Sequence, residues 1–348
     1  MRNDCCLKNR ALSLIEHLRH RLVEPSFGSR HRRSDRDFTR ERVLTFPVQC
    51  ANHHGPLERY PQGRVSVLYD VLNQIGLEGR LAGSTVAETP LAHEHLAAVQ
   101  PGDVLLNDRG YTGYGWLAAV RAAGAHFVSR ASRGSFAAVP QLFARNQADV
   151  SQVVTLTAPK ELRRECGERG WPLTLTVRLV TVRLPSGELE VLVTSLLDEV
   201  AYPTEVFGPV YGRRWGQETY YGRLKGRLDL EHCSGQTVEA VEQDFHATVL
   251  LSNVESVVVG PAAAQLAERT AGRAQPAQIN RAVSLHALKH RLIELLTSRV
   301  PAEQVLAELT QSFAANPVSV RPGRAVARRA PSPSRAYHYQ RRVRKLVF

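Results

Sequence analysis

The hydrophobic pattern changes period several times along the chain, and each change marks an element. Leu12, Leu14, Ile15, Leu18 and Leu22 recur near 3.6 residues and predict an N-terminal helix. The text then becomes polar and basic, SRHRRSDRDFTRER, which reads either as a solvated arm or as one that touches a polyanion. From Arg64, RVSVLYDVLNQIG is rich in strand formers and runs to Gly76. ETPLAHEHLAAV predicts a helix with Pro90 in its first turn, and PGDVLLND a short buried strand after a Pro-Gly turn. GYGWLAAVRAAGAHFVSRA continues as a helix ending near Gly124, then another strand. Strand alternating with helix is the pattern of an α/β sheet covered by helices.

The middle third reads differently. LTLTVRLVTVRLPSGELEVLVTSLL alternates strictly on both sides of Pro185-Ser186-Gly187, which predicts an antiparallel hairpin. PTEVFGPVYGRRWGQETYYGRLKGRL returns to helical spacing, and EAVEQDFHATVLLSNVESVVV predicts a second, more apolar helix. INRAVSLHALKHRLIELLTSRV and PAEQVLAELTQSFAANP predict further helices, with Pro301 suited to a first helical position. Beyond Pro322 the tail carries eight cations and no acid, a composition that stays solvated or grips nucleic acid without sequence preference.

A chain of 348 residues, 43% hydrophobic and 22% charged, can bury a sizeable core, so neither wholesale disorder nor a fibrous repeat describes it. Lys plus Arg number 45 against 33 acids, a formal +12 that favours a polyanionic partner. No apolar run approaches the roughly 18 to 20 residues of a membrane helix, and the start does not suit a secretory signal, so the cell interior is expected and a membrane is not. Five cysteines, odd in number and without a CxxC pair, argue against a disulfide framework or a thiolate zinc site. Neither GxGxxG nor GxxxxGK[ST] occurs, which argues against nucleotide-dependent chemistry.

Two places can carry chemistry. Tyr211, Arg214, Glu218 and Lys225 lie at offsets that gather them within about 60° on one helix face: an aromatic hydroxyl, two cations and a carboxylate. An ordinary surface helix with an Arg214–Glu218 pair is the plainer account of the same spacing. Asp108 ends a buried run and precedes Arg109-Gly110, so its carboxylate emerges at the carboxyl end of a strand, where α/β sheets place ligands; a turn-forming aspartate before glycine fits equally. Brought together, the two carboxylates would supply hard oxygen ligands for Mg²⁺, and a pair of such ions cleaves phosphodiesters.

The stretch Tyr211-x2-Arg214-x3-Glu218-x6-Lys225, with Trp215 after the arginine, resembles the signature of DDE transposases of the insertion-sequence-4 group. RVSVLYDVLN, PGDVLLNDRGY, HFVSR and LVTSLLD, in that order, resemble the same group over roughly residues 64–255. The resemblance implies an α/β fold: an RNase H-like mixed sheet flanked by helices, with a β-rich insertion near 135–200 before the catalytic helix. An N-terminal basic and helical region over 1–50, C-terminal helices over 256–320 and a basic tail over 321–348 complete the expected organisation. By the same resemblance Asp108 matches the second catalytic aspartate and Glu218 the catalytic glutamate, both ligands of Mg²⁺ or Mn²⁺. Tyr211, Arg214 and Lys225 match positions that hold the transposon end, with Trp215 beside them. The implied activity is DNA transposition: nicking at transposon ends and transfer to target DNA, by a homodimer on nucleoid DNA in the bacterial cytoplasm.

One part of the pattern is not found. FTRERVLTF, which resembles the group's N-terminal region, is followed after PVQCANHHGPLERYPQG by RVSVLYDVLN, which resembles its second strand. The first strand and its aspartate are therefore expected to be missing, leaving an exposed or repaired sheet edge and a site short of one ligand. Asp70, the acid on the predicted strand after this join, is the candidate replacement. The alternative is a nonenzymatic DNA-binding remnant. His93 and His95 point to different helix faces and His53-His54 lacks a third ligand by sequence, so neither pair predicts a metal site.

Overall fold

The computed structural model describes helix α1 (10–19), backbone strand 43–45 and residues 63–83, 85–184, 186–230, 237–273, 275–297 and 299–320. The basic stretch before Val43, the join with His53-His54, the basic tail and Cys5, Cys6, Cys50 and Cys233 lie outside the described residues. By compactness the chain divides into Met1–Phe38 with Arg223–Phe348, and Thr39–Gly222.

The Thr39–Gly222 unit is built on an eight-stranded mixed sheet. In chain order its strands are β1 (Val43–Thr45), β2 (Gly63–Asp70), β3 (Ile75–Gly83), β4 (Val104–Asn107), β5 (His126–Ala131), β6 (Ser151–Thr157), β7 (Thr174–Arg183) and β8 (Leu189–Thr194). In space the order is β3-β2-β1-β4-β5-β8-β7-β6. β1 runs antiparallel to β2 and parallel to β4, β4 is parallel to β5, and β8, β7 and β6 extend the sheet antiparallel. This corrects the expectation of a missing first strand and a disturbed edge. Val43-Leu44-Thr45 takes a central place between β2 and β4, with Leu44 level with Asp70 and Leu105.

Alternation along the strands supplies two cores. Leu105, Phe127, Val191 and Val193 face one side, packed with Trp116, Leu117 and Val120 of α3 (Tyr114–Ala122) and with Leu142. Their neighbours Leu106, Val128 and Leu192 face the other, packed with Phe207 and Tyr211. A strand with period 2 in which both alternating sets are apolar must be covered on both faces. α2 (Glu88–His95) joins the first layer, and the insertion between β5 and β8 adds α4 (Val139–Arg145) and α5 (Arg163–Arg169) to it. Two expected outlines change in detail. The run read as one strand to Gly76 turns at 71–74, where Gln74 takes φ +58, and returns as β3. The helix read through Tyr211 and Lys225 is two helices, α6 (Phe207–Gly212) and α7 (Trp215–Arg227), with Arg213-Arg214 between them.

In the other unit Ala11 and Ile15 of α1 pack among α8 (Val238–Val258), α9 (Gly260–Thr270), α10 (Arg281–Thr297) and α11 (Ala302–Ala315). Pro301 is the cap residue of α11, not its first helical residue. Two strands the pattern did not suggest, β9 (Ala277–Ile279) and β10 (Pro317–Ser319), pair antiparallel. Buried Glu255 is bonded by Arg281 and Ser284, so this charge is paired within the helical core. Among the described residues no single helix is long and apolar enough to cross a membrane. α8 and α9 together reach that length and composition, with a bend of 42°.

Candidate functional site

The site lies at the carboxyl ends of β4 and β5. Asp108 follows the last residue of β4 and caps a 3-10 turn, Arg109–Tyr111, its Oδ1 accepting from the Gly110 N–H at 2.8 Å. One carboxylate oxygen is thereby engaged in building the turn. Behind it, Asn107 is fully buried and donates through Nδ2 to Ser129 Oγ of β5 at 2.9 Å.

Tyr211 arrives from the opposite layer. It packs against Leu106 and Val128, is 5% exposed, and its hydroxyl has no hydrogen-bond partner among the described residues. Burial raises the pKa of that hydroxyl; Arg214 opposes the rise, Glu190 adds to it, Arg130 opposes it and Asp108 adds again. One phenol thus has the carboxylates of Asp108 and Glu190 and the guanidiniums of Arg130 and Arg214 within electrostatic reach. Arg214 donates from Nη2 to Glu218 Oε1 at 3.0 Å, while its buried Nε has no partner among the described residues, and its guanidinium lies over the rings of Trp215 and Tyr211 at 5.1 and 5.8 Å. Tyr211, Arg214 and Glu218 are therefore assembled across the α6–α7 break, with Asp108 close by, rather than on one continuous helix face.

Trp215 is 54% exposed, so it is a surface ring beside the site and not a packing residue. Tyr220 and Tyr221, the aromatic pair that follows on α7, are buried: Tyr220 stacks on Tyr69 with centroids 4.2 Å apart, and the Tyr221 hydroxyl accepts from the Val67 N–H at 3.0 Å. Gln217 Nε2 donates to the Val67 carbonyl at 3.2 Å. Lys225 lies seven residues beyond Glu218 on α7. Sequence reading did not single out Gln217, Arg130 or Glu190. The last two sit at ordinary strand positions, and only the packing of β8 against β5 brings them to the end of β4.

Asp70 is not brought to Asp108. It closes β2, where the registers place it level with Leu105 and two strands from β4. Three residues along a strand put it roughly 10 Å below the level of Asp108. Its carboxylate is occupied by the turn to β3, accepting from Leu72 N, Asn73 N and Asn73 Nδ2 at 2.9, 3.1 and 2.6 Å.

A three-carboxylate metal centre does not fit these residues. Among the described residues no group of three His, Cys, Asp or Glu side chains could hold an ion. β1, which neighbours β4, reads Val-Leu-Thr, and no acid occurs in the sequence from Val43 to Leu57. Carrying the two registers forward sets Val67 level with Asp108. There the backbone N–H and carbonyl of β2 are bonded by Tyr221 and Gln217 of α7, where a longer β1 would have paired. Two residues after Thr45 the chain has Pro47, which has no N–H for a ladder.

Residues 50–254 match the family described as the Transposase DDE domain. The chain is 24% identical over 221 residues to the transposase InsG for insertion sequence element IS4 of Escherichia coli (strain K12), a stretch that covers 62% of this chain and 48% of that protein. The chain thus spans about half the length of the curated relative it matches. Among solved structures, a cryo-EM structure of the piggyBac transposase synaptic complex with hairpin DNA aligns with TM-score 0.43 and 12% identity, covering 82% of this chain and 60% of that one. Proteins of this family generally use divalent metal ions. With the family's domain matched over more than half its length and the Tyr-Arg-Glu site assembled at the end of β4, the chain belongs to the DDE transposase family and stands with its insertion-sequence-4 group.

Proposed function

We propose that this chain binds transposon-end DNA through Tyr211, Arg214, Trp215 and Lys225, and that its metal-dependent strand cleavage is impaired. A single observation carries the second half. At the height of Asp108 the flank that would hold a first carboxylate is closed by Gln217 and Tyr221 bonded to Val67. The first half is supported by the unpartnered Tyr211 hydroxyl and Arg214 Nε, two buried donors that a phosphate oxygen would satisfy. Asp108 and Glu218 remain as two carboxylates for Mg²⁺ or Mn²⁺. With one oxygen of Asp108 tied to Gly110 and one of Glu218 to Arg214, an ion would be held weakly. The substrates are the element's ends and target DNA in the bacterial cytoplasm, and two copies of the chain act on paired ends.

The test is a nicking and binding assay on duplex DNA carrying the gene's own flanks, with Mg²⁺ or Mn²⁺. Binding without nicking is expected, with binding weakened in Arg214→Ala. Nicking that Glu218→Gln abolishes would overturn the impairment, and nicking lost also in Asp70→Ala would make Asp70 a replacement ligand.

A further inference from the structure

Beside Asp108 lies a cavity of about 550 Å³ that the reading above does not use. Arg109 enters it from the end of β4, Arg130 from β5, and Arg133 from the loop after β5; Phe143 of α4 and Glu188 and Glu190 at the start of β8 close it. Three guanidiniums around one cavity make an anion site, since each presents a rigid fork of donors suited to phosphate oxygens. Arg109 and Arg133 are exposed, and Arg133 is steadied over the Phe143 ring at 5.0 Å.

Arg130 is different, because it is already engaged. Its Nη1 lies 3.0 Å from Glu190 Oε1 and its Nη2 3.5 Å from exposed Glu188 Oε1, and Glu190 is 4% exposed with no hydrogen-bond partner for Oε2 among the described residues. A buried carboxylate with one free oxygen is a poor structural partner, since the fold bears the desolvation of both oxygens and recovers interaction at one. A residue that only tied β5 to β8 would do so at lower cost as a neutral side chain. What this carboxylate does is neutralise Arg130, one of the two guanidiniums within electrostatic reach of the Tyr211 hydroxyl.

We propose that Glu190 is an internal competitor for phosphate: it holds Arg130 in the free protein, and a DNA phosphate entering the cavity takes Arg130 from it. The inference rests on DNA being the partner, but the cavity itself is a claim about phosphate. In the bound state Arg130 pairs with the phosphate, Arg109 and Arg133 supply the outer donors, and Glu190 is left to accept from a donor carried by the ligand or a water. The competitor weakens binding to any phosphate and costs least where the ligand brings such a donor.

The experiment measures binding of inorganic pyrophosphate and of a short DNA duplex to the full chain and to Glu190→Gln, Arg109→Ala, Arg130→Ala and the Glu190→Gln/Arg130→Ala pair, with melting curves to establish that each is folded. Glu190→Gln should bind both probes about three- to tenfold more tightly, and the gain should vanish when Arg130 is also removed. Arg109→Ala, at an exposed position, should weaken both probes. Unchanged or weaker binding by folded Glu190→Gln, or a gain that survives without Arg130, would overturn the proposal. A gain seen with pyrophosphate while no form binds duplex would uphold the cavity and overturn the DNA reading instead.

Discussion

At the scale of single residues, the site is marked by polar atoms that the fold buries and does not use. A buried hydroxyl without a partner costs roughly 1–3 kcal/mol, so Tyr211 is held at that expense for something the free protein does not contain. Tyr211→Phe removes the unsatisfied group and keeps the ring against Leu106 and Val128. Its melting temperature should equal or exceed that of the parent, while DNA affinity should fall by about tenfold or more, the worth of one hydrogen bond to a charged acceptor. A destabilised Tyr211→Phe with unchanged affinity would make the hydroxyl structural. The same logic gives Arg214 a double role. One nitrogen orients Glu218 and another is left to donate, so Arg214→Ala should lose more DNA affinity than Tyr211→Phe, as binding isotherms at fixed salt would read.

At the scale of elements, the placement of Asp70 shows how a carboxylate can sit on the right strand type and still do other work. Its three hydrogen bonds close the β2–β3 turn, where Gln74 has a positive φ. By analogy with helix caps, Asp70→Ala should cost about 1–2 kcal/mol in a denaturant titration and leave DNA affinity within twofold. That role was not legible in RVSVLYDVLNQIG, because the turn carries no glycine or proline and the strand formers run through it. β4, α3, β5 and the β7–β8 hairpin were legible, since their boundaries carry Pro-Gly, Gly124 and Pro-Ser-Gly and their periods are clean. β1 was misjudged for a different reason. Three residues, Val-Leu-Thr, are too short for a periodic signal, and only pairing with both β2 and β4 makes them the centre of the sheet. The Tyr-Arg-Glu spacing named residues that the fold brings together, though through a helix that is in fact broken at Arg213-Arg214. Glu190 and Arg130, far apart in sequence, could be found only in space.

For the whole molecule, acidification should separate stability from affinity. His93, His95 and His126 all have their pKa lowered below 6.5, chiefly by burial; Arg169 reinforces this at His93 and Arg121 at His126, while Glu78 opposes it at His95. A lowered folded pKa means that just below 6.5 the unfolded chain binds more protons than the folded one, so stability is full above that pH and is lost as pH falls through it. Glu190 works the other way: burial raises its pKa, so the folded state holds its proton more tightly, and its contribution declines as pH rises from 4.5. The three histidines lower the melting temperature as pH falls through 6.5, and Glu190 contributes in the opposite direction. DNA affinity should rise as acidification protonates Glu190, which faces Arg130, Arg109, Arg214, Tyr211 and neighbouring Glu188, because a neutral partner releases Arg130 while phosphodiesters stay charged. Any other group that gains a proton adds to the formal +12 in every variant, so the decisive quantity is a difference. Glu190→Gln should keep the melting trend and lose part of the affinity trend. If parent and variant gain affinity equally as pH falls, the carboxylate at the start of β8 has no part in binding, and the pH response belongs to other groups.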